Sequence, residues 1–431
     1  MEFYSTNNKE TRVSLKEAVL QGLAPDNGLY MPDHISPLAD PFFHDLHRKS
    51  FPQLSYEVAR HLIGGDIPDE ALKKIIDQTI TFEAPLVKVG DCYSLELFHG
   101  PTLAFKDFGA RFLAGLLGYY ARQQDKEVTI LVATSGDTGS AVANGFLNVP
   151  GTRVVVLYPS GKVSEIQEKQ FTTLGGNITA LEIEGTFDDC QRMVKEAFLD
   201  AALRAKLFLT SANSINMARL IPQMFYYFRA FAQLGADAKD VVFAVPSGNF
   251  GNLTAGLIAK RLGLPVKQFI AATNANDIVP EYLSSGTFAP RSSKQTISNA
   301  MDVGNPSNFA RMLDLFHSDL PMMQKDITGY HFTDEETKTA MVNVLKNDNY
   351  ILDPHGAVGY LGLKKYQQTN TQVTGIFLET AHPGKFKEVV EEVLAQELPL
   401  PDKLNAFLSK EKKTIAMSND FGQLKLFLLQ F

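Results

Sequence analysis

The hydrophobic pattern of this chain changes character near residue 84. Before that point, apolar residues recur at helical spacing, as in residues 14–20 and 71–76, between interrupting Pro and Gly residues. From Tyr93 onward, short β-rich runs alternate with polar, glycine-containing turns and helical stretches. Such alternation is typical of mostly parallel sheets covered by helices. The pattern therefore predicts an N-terminal α+β region followed by an α/β protein.

Three strand–turn–helix units hold the turns of greatest interest, because ligands bind at the carboxyl ends of parallel strands. The first has a predicted strand at 95–98, a turn at 99–102 and a helix that includes 110–120. The second has a strand at 129–133, a turn at 134–139 and a helix from 140. The third has a strand at 241–245, a turn at 246–252 and a helix at 253–262. Further strands are predicted at 154–157, 269–273 and 374–378.

The length of 431 residues exceeds what one hydrophobic core usually supports. We predict an N-terminal domain at residues 1–83 and a catalytic subdomain at 84–235, which contains the turns of the first two units. A second catalytic subdomain is predicted at 236–431 and contains the turn of the third unit. Two α/β subdomains of this kind would enclose a cleft.

Composition excludes several classes of protein. The net charge of -7 is dispersed along the chain without a basic patch, so no nucleic-acid partner is expected. The two cysteines, Cys92 and Cys190, lie far apart without histidine at metal-ligand spacing, so neither a disulfide framework nor a metal site is expected. No apolar run has membrane-spanning length and the N-terminus lacks the pattern of a secretory signal. We expect a cytoplasmic protein without a membrane partner; the oligomeric state is not determined by the sequence.

The turn at residues 247–252 has the features of a phosphate-binding loop. Its glycines, Gly248 and Gly251, allow a ligand to approach the backbone closely, and amides at the start of a helix favour an anion. An ordinary strand-to-helix turn with a good cap has the same residue types. A dinucleotide site is disfavoured, because the spacing is Gly-x-x-Gly and no acidic residue follows about 20 positions later.

The turn at residues 134–139 has similar physics and adds the hydroxyls of Thr134, Ser135 and Thr138. It could hold a second anion, such as a carboxylate or phosphate. Asp137 would oppose an anion if its carboxylate pointed inward, whereas as a helix cap it would turn toward backbone amides. Neither turn contains the lysine of a nucleotide-binding P-loop.

Lys106 lies between Phe105 and Phe108 at the opening of a predicted helix. Most lysines are surface residues, and that is the alternative interpretation. Here apolar neighbours would desolvate the amine, and the positive end of the helix would oppose its protonation. Both effects lower the pKa of Lys106 and favour the neutral amine that imine chemistry requires. A reactive lysine beside two anion sites is what pyridoxal phosphate needs to process an amino-acid substrate.

Residues 99–108 (His-Gly-Pro-Thr-Leu-Ala-Phe-Lys-Asp-Phe) resemble the cofactor-lysine motif of the threonine synthase family, which is a fold-type II, tryptophan-synthase-β-like group of pyridoxal-phosphate enzymes. Further segments that resemble the family occur in the expected order at 133–139, 211–216, 247–251, 271–274, 298–303 and 380–383. The resemblance extends from residue 3 almost to the C-terminus, so it covers nearly the whole chain.

This resemblance implies two catalytic α/β subdomains around a cleft and pyridoxal phosphate held by Lys106 as an imine. The residues that it assigns to cofactor binding are Lys106, Ser247, Gly248, Asn249, Phe250, Gly251, Asn252 and Thr380. Thr380 would hydrogen-bond the pyridine nitrogen and, being neutral, leave that nitrogen largely unprotonated. A strand-end threonine without such a role is the alternative.

The resemblance also implies a lyase that converts O-phospho-L-homoserine and water into L-threonine and phosphate, with Lys106 as proton shuttle. The candidate substrate contacts are Thr102, Ser135, Thr138, Asn213, Ser214 and Arg219. Arg219 suits bidentate contact with a phosphate, but could equally form a structural ion pair. Loop histidines most often satisfy backbone partners, so His99, His355 and His382 are secondary candidates for acid or base.

Three alternatives remain open. A phospholyase or a threonine or serine dehydratase would share the fold and cofactor but yield a different product. A non-catalytic protein that binds pyridoxal phosphate would have no need of the reactive amine of Lys106. A dinucleotide-dependent oxidoreductase would require a glycine spacing that this chain lacks.

Overall fold

The computed structural model of the chain describes residues 1–235 and 238–431. Its strands are β1 (Glu2–Ser5), β2 (Arg12–Ser14), β3 (Tyr30–Pro32), β4 (Leu86–Val89), β5 (Cys92–Glu96), β6 (Val128–Ala133), β7 (Thr152–Pro159), β8 (Ile178–Glu184), β9 (Phe208–Ser211), β10 (Val241–Pro246), β11 (Val266–Thr273), β12 (Ile327–His331), β13 (Thr374–Glu379) and β14 (Ile415–Ser418).

Its α-helices are α1 (Leu15–Gln21), α2 (Asp40–His44), α3 (Phe51–Ile63), α4 (Asp69–Thr79), α5 (Lys106–Ala121), α6 (Asp137–Phe146), α7 (Glu165–Thr172), α8 (Phe187–Leu199), α9 (Ala201–Lys206), α10 (Ile221–Leu234), α11 (Gly251–Arg261), α12 (Ile278–Ser285), α13 (Phe309–Leu315), α14 (Leu320–Asp326), α15 (Asp334–Asp348), α16 (Pro354–Gln367), α17 (Lys387–Leu394), α18 (Asp402–Leu408) and α19 (Phe421–Leu428). Short 3-10 helices lie at Leu46–Arg48, Met217–Arg219, Asn299–Met301 and Pro383–Phe386.

The N-terminal region has the predicted α+β character. Strands β2, β1 and β3 form a small antiparallel sheet. Helix α1 begins where the sequence pattern places it, because Ser14 accepts the amide of Glu17 and the Glu17 carboxylate accepts the amide of Ser14. Helices α3 and α4 pack against each other, and their buried apolar faces also contact α10 and α5 respectively.

Two larger sheets form the rest of the molecule. One has the strand order β12-β11-β10-β13-β5-β4, in which only the pair of β4 and β5 is antiparallel. The other has the order β14-β8-β7-β6-β9 and is parallel throughout. Their central strands β6 and β10 are buried along their whole length, as is usual for parallel sheets covered on both faces. The predicted class, mostly parallel α/β with an N-terminal α+β region, is confirmed.

The sheets interleave along the chain. Strands β4 and β5 fall in the predicted segment 84–235, yet they belong to the sheet of the segment 236–431, because β5 pairs with β13. Strand β14 near the C-terminus returns to the sheet of the middle segment. The predicted boundary after residue 235 adjoins residues outside the described part of the chain. The three domain limits therefore stay a prediction. Each of the two larger sheets contains strands from more than one of the predicted segments.

The predicted strands and helices occur, with differences at their ends. Helix α6 begins at Asp137, so Asp137, Thr138 and Gly139 form its first turn and do not belong to the preceding loop. Arg219 lies in a short 3-10 turn that is separate from α10. The physical reason is that Asn216 caps this short turn and Pro222 occupies the first turn of α10, where proline is favoured at a helix start.

In the described part of the chain, no helix is both long enough and apolar enough to cross a membrane. The same residues contain no group of three or more His, Cys, Asp or Glu side chains arranged to hold a metal ion.

Candidate active site

One cavity of about 500 Å³ lies where the segments that follow β6, β10 and β13 meet. It brings together residues that are remote in sequence, as expected for the carboxyl ends of parallel strands. The predicted site residues that line it are Lys106, Ser135, Thr138, Asn213, Ser214, Arg219, Gly248, Asn249, Phe250, Gly251, Asn252 and Thr380. Ser247 and Thr102 are not among the described residues that line it.

The turn that presents Lys106 is built around the buried carboxylate of Asp107. Thr102 donates its backbone amide to Asp107 Oδ2 over 2.9 Å and its hydroxyl to Asp107 Oδ1 over 2.6 Å. A Cβ atom at Gly100 would lie 2.4 Å from Asp107 Oδ2, so only glycine fits there. These contacts explain why Gly100, Thr102 and Asp107 occur in the motif. They also assign Thr102 to the turn, because its hydroxyl is already used.

Lys106 is the first residue of α5, and its Nζ lies 3.8 Å from Asp137 Oδ2. Burial lowers the pKa of Lys106, and the nearby Lys385 and Arg219 cations lower it further, while Asp137 acts in the opposite direction. The lowered pKa agrees in direction with the expectation from the sequence. The cause differs in part, because two cations contribute besides apolar neighbours.

Thr380 is held next to Lys106 by backbone pairing. Phe105 donates its amide to the carbonyl of Thr380 over 2.8 Å, and His382 donates its amide to the carbonyl of Leu103 over 3.0 Å. An antiparallel bridge between residues 104 and 381 completes this short ladder. The end of β13 and the start of α5 therefore have a fixed geometry relative to each other.

The loop after β10 offers free backbone donors. Within residues 1–235 and 238–431, no amide from residue 248 to residue 252 donates to a protein acceptor. Phe250 has a left-handed backbone (φ 59°), and a Cβ atom at Gly248 would lie 2.8 Å from the Cα atom of Met301. Several free amides at the start of α11 suit a phosphate group, since they add hydrogen bonds to the helix dipole. This loop and the largely buried amine of Lys106 fit pyridoxal phosphate.

The side chains of Ser247 and Asn252 hold the loop itself. Ser247 donates its hydroxyl to Asn252 Oδ1 over 2.7 Å, and Asn252 donates Nδ2 to the carbonyl of Pro246 over 2.8 Å. Asn252 Oδ1 also accepts the amide of Leu253 over 2.9 Å. The side chain of Asn252 is occupied by these contacts, whereas its backbone amide is available to donate to an anion.

The loop after β6 contributes Ser135 to the cavity, and the first turn of α6 contributes Thr138. Thr134 shapes this loop, because its Oγ1 accepts the amides of Gly136 and Gly139 over 3.0 and 2.8 Å. Asp137 does not cap the helix: its carboxylate accepts hydrogen bonds from Gln167 and forms an ion pair with Lys385. The expected turn of Asp137 toward backbone amides is therefore wrong, because two side-chain donors compete successfully for its oxygens.

Besides the loops after β6 and β10, the cavity has a third wall, which is formed by Asn213, Ser214 and Arg219. Arg219 donates Nη1 to the carbonyl of Ala212 over 2.6 Å, and its buried Nε has no partner among the described residues. Burial lowers the pKa of Arg219 to about 10, so it is still a cation at neutral pH. No carboxylate forms an ion pair with Arg219 among the described residues, so the structural ion pair considered above is not seen. A buried cation of this kind favours an anionic ligand.

The histidines have separate environments. His355 lines the cavity, where its Nδ1 lies 2.5 Å from Asp353 Oδ1 and its Nε2 accepts the amide of Ala300 over 3.2 Å. His99 pairs with Glu96 and His382 accepts the amide of Gly384, and neither is among the described cavity-lining residues.

Sequence reasoning missed two buried cations behind the cavity. Arg311 donates to the carbonyls of Tyr30, Ser214 and Ile215 and so supports the third wall. Lys385 contacts Asp137 and is fully buried. Neither residue lies in a recognisable local pattern, so no signal in the sequence distinguished it from a surface cation.

Comparison with known proteins gives the same assignment. A family model described as pyridoxal-phosphate dependent enzyme matches residues 83–375, and models for the threonine synthase N terminus and C-terminal region match 2–80 and 356–428. Threonine synthase from Haemophilus influenzae is 47% identical, with 100% of each chain covered. The crystal structure of threonine synthase from Escherichia coli has a TM-score of 0.92 at 44% identity, and 100% of each chain is covered. Threonine synthase from Brucella melitensis, solved with pyridoxal phosphate bound, has a TM-score of 0.94 at 34% identity, over 100% of this chain and 99% of that one.

The fold, the site and the family model define a pyridoxal-phosphate-dependent enzyme. Within that class, the chain belongs to the threonine synthase family, whose members it matches over its full length. These findings confirm the family, the fold class and the cofactor that the sequence predicted.

Proposed function

We propose that this chain converts O-phospho-L-homoserine and water into L-threonine and phosphate, and that Lys106 holds the cofactor and moves the protons. The observation that carries the proposal is a largely buried lysine amine in one cavity with two separate groups of anion-binding donors. One group suits the phosphate of the cofactor. The other suits the anionic groups of an amino-acid substrate.

The first group is the set of amides from Gly248 to Asn252, which we assign to the cofactor phosphate. Thr380, at the opposite side of the ladder with residues 103–105, is assigned to the pyridine nitrogen. Its hydroxyl is neutral and so does not stabilise a protonated ring nitrogen as a carboxylate would. When bound, pyridoxal phosphate supplies an electron sink for carbanions formed on an amino-acid substrate.

The second group consists of Ser135, Thr138, Asn213, Ser214 and Arg219. Arg219 is the strongest of these contacts in the proposal, because its buried charge lacks an ionic partner among the described residues. The hydroxyls and amides orient the substrate without adding charge. Thr102 is left out of this group, since its hydroxyl is bound to Asp107.

Lys106 is suited to proton transfer because burial lowers the pKa of its amine, which favours the neutral form that can accept a proton. Once a substrate displaces it from the cofactor, the amine stays in the same cavity and can remove and return protons at neighbouring carbon atoms. The cytoplasmic location expected from the sequence stays a prediction.

A phospholyase on the same fold would use the same lysine and cofactor, but it would release phosphate and 2-oxobutyrate in place of threonine. A threonine or serine dehydratase would act on the hydroxy amino acid and would not release phosphate. A non-catalytic cofactor-binding protein would show bound cofactor without turnover. The products therefore decide between these activities.

The test compares the purified protein with Lys106→Ala. We expect the wild type to have a visible absorbance band from the lysine-bound cofactor and to release threonine and phosphate in equal amounts from O-phospho-L-homoserine. The variant should keep the circular dichroism of the wild type and lose both the band and the turnover. Phosphate release with 2-oxobutyrate would contradict the proposed reaction, and a colourless, inactive wild type with added cofactor would contradict the role of Lys106.

A further inference from the structure

Lys385 is a fully buried lysine that the proposed reaction does not use. Its Nζ lies 2.8 Å from Asp137 Oδ1, 2.7 Å from the carbonyl of Thr102 and 3.0 Å from Gln170 Oε1. These three acceptors match the three donors of an ammonium group. Lys385 is therefore satisfied within the protein and has no donor left for a ligand.

Asp137 stands between Lys385 and Lys106. Asp137 Oδ1 lies 2.8 Å from Lys385 Nζ and accepts a hydrogen bond from Gln167 Nε2, also over 2.8 Å. Asp137 Oδ2 lies 3.8 Å from Lys106 Nζ. Burial opposes the ionisation of Asp137, but the two lysines outweigh it and hold the pKa of this carboxyl well below its usual range. Asp137 is thus a permanent anion beside the cofactor lysine.

One carboxylate can neutralise only one of two buried ammonium groups, and the geometry decides which. Lys385 has the shorter contact to Asp137 and two further acceptors, whereas Lys106 has the longer contact. We propose that Lys385 is a positioning residue that takes the charge of Asp137 and thereby leaves Lys106 free to be neutral in the absence of a ligand. This inference rests on the proposed role of Lys106 in holding the cofactor.

Other charged or titratable groups around the pair do not replace Lys385. Arg219 acts on Lys106 with the same sign as Lys385, but it makes no ion pair with Asp137 in the described residues. Asp107 faces Lys385 across the Thr102 turn, and its oxygens are taken by the amide and hydroxyl of Thr102. His382, which also lies near Lys385, is neutral at neutral pH because burial lowers its pKa to about 4.

The proposal predicts what happens when the charge of Lys385 is removed. In Lys385→Met, Asp137 would have Lys106 as its remaining cationic neighbour, so Lys106 would retain its proton to a higher pH. The neutral amine is the form that reacts with the cofactor aldehyde. Formation of the lysine-bound chromophore should therefore require a higher pH.

The experiment uses the full chain, freed of cofactor by dialysis, and measures the rate at which the visible band returns after pyridoxal phosphate is added across a pH series. We expect the pH midpoint of this rate to rise by at least about one unit in Lys385→Met, which makes the reaction about tenfold slower at neutral pH. Lys385→Arg, which keeps the cation, should shift the midpoint much less. Lys387→Met is the matched control, since Lys387 pairs with Glu391 on the surface two residues away.

A purely structural role for Lys385 would also make its loss harmful, and a second variant separates the two roles. In Asp137→Asn with Lys385→Met, both charges of the pair are gone, so Lys106 has no carboxylate to hold its proton. We expect the midpoint to return to within about half a unit of the wild type. A double variant whose midpoint stays as high as that of Lys385→Met would overturn the proposal.

The outcomes also separate this proposal from the proposed function. A wild type that never forms the band would contradict the role of Lys106 itself, and with it this inference. A wild type that forms the band, with an unchanged midpoint in Lys385→Met, would overturn the role of Lys385 alone and leave the reaction intact.

Discussion

Phe105 donates its backbone amide to the carbonyl of Thr380 over 2.8 Å. This single contact joins the residue before Lys106 to the residue that we propose contacts the cofactor ring, although the two lie in distant parts of the chain. Because the bond is between backbone atoms, the distance between the two sides of the site does not depend on side-chain rotamers. Such preorganisation is what a catalytic constellation needs.

Adding a methyl group at Gly248 should weaken cofactor binding. A Cβ atom there would lie 2.8 Å from the Cα atom of Met301 and 3.2 Å from the carbonyl oxygen of Ala300, so backbone has to move. Overpacking of this kind costs about 1–3 kcal/mol, which corresponds to roughly a 5- to 150-fold loss of affinity. Titration of the apoprotein of Gly248→Ala with pyridoxal phosphate, followed by absorbance, measures this loss.

Gly251→Ala provides the steric comparison in the same loop. Its nearest neighbour would be Asn308 Nδ2 at 3.5 Å, an ordinary contact distance, and its backbone is helical. We expect a clearly smaller loss of cofactor affinity than in Gly248→Ala. Equal losses in both variants would contradict the close approach of residue 301 as the cause.

Thr102→Val should destabilise the Lys106 turn without affecting substrate affinity. The substitution removes the 2.6 Å hydrogen bond to Asp107 Oδ1 and leaves a buried carboxylate oxygen without that donor. The expected cost is about 1–3 kcal/mol in the free energy of unfolding, together with a lower kcat. Denaturant unfolding and steady-state kinetics measure the two effects.

Thr102→Ser is the control, because it retains the hydroxyl and should keep most of the stability. The Michaelis constant should stay within about twofold of the wild type in both variants, a change of under 0.5 kcal/mol. A large rise of the Michaelis constant in Thr102→Val with unchanged stability would show that Thr102 binds the substrate after all.

His382 should make the protein less stable as the pH falls below neutrality. Burial lowers the pKa of His382 to about 4, whereas an unfolded histidine has a pKa of about 6.5. Between these values the unfolded chain binds more protons than the folded chain, so acid favours unfolding. At pH 5 the expected loss from this residue is about 2 kcal/mol relative to neutral pH.

Comparison with His382→Asn isolates the effect from that of other groups. Asparagine can still accept the amide of Gly384, as His382 Nδ1 does, but it does not titrate. Unfolding curves at pH 7.5 and pH 5 should show a smaller loss of stability in the variant than in the wild type. Parallel losses in the two proteins would rule out His382 as the source.

Arg311→Met should cause a large loss of stability. Arg311 is fully buried and donates to the carbonyls of Tyr30, Ser214 and Ile215 and to Asn308 Oδ1, which lies 2.7 Å from its Nη1. Each buried acceptor left without a donor costs about 1–3 kcal/mol, so a total of about 3 kcal/mol or more is expected. Equilibrium unfolding in denaturant measures it.

Arg48→Met is the matched substitution at the surface, where the side chain is 75% exposed and its contact to Asp45 is long at 3.7 Å. It should leave the unfolding midpoint nearly unchanged. If Arg311→Met were as mild as Arg48→Met, the structural role assigned to Arg311 would be wrong.

Local sequence patterns predicted the fold class and the principal loops because parallel α/β units are encoded locally. Buried strands such as β6 and β10 are each followed by a glycine-containing turn and a helix. This local pattern predicts them without knowledge of the strands with which they pair. Helix ends were less well predicted. Helix α6 begins at Asp137 and not at residue 140. The orientation of the Asp137 carboxylate was not predictable either, because its partners, Gln167 and Lys385, are remote in sequence.

The sequence by itself determined the family, and it singled out Lys106 and the glycine-rich loop after β10 as candidate cofactor contacts, since each depends on residue types at short spacing. Three features were decided only by the tertiary structure. Strand β5 joins the sheet of the later segment, and β14 joins the sheet of the middle segment. The hydroxyl of Thr102 donates to Asp107, and the carboxylate of Asp137 lies close to both Lys385 and Lys106. The physical reason is that the cost of burying a charge or hydroxyl depends on its partners in space. Those partners come from distant segments, and only the folded chain brings them together.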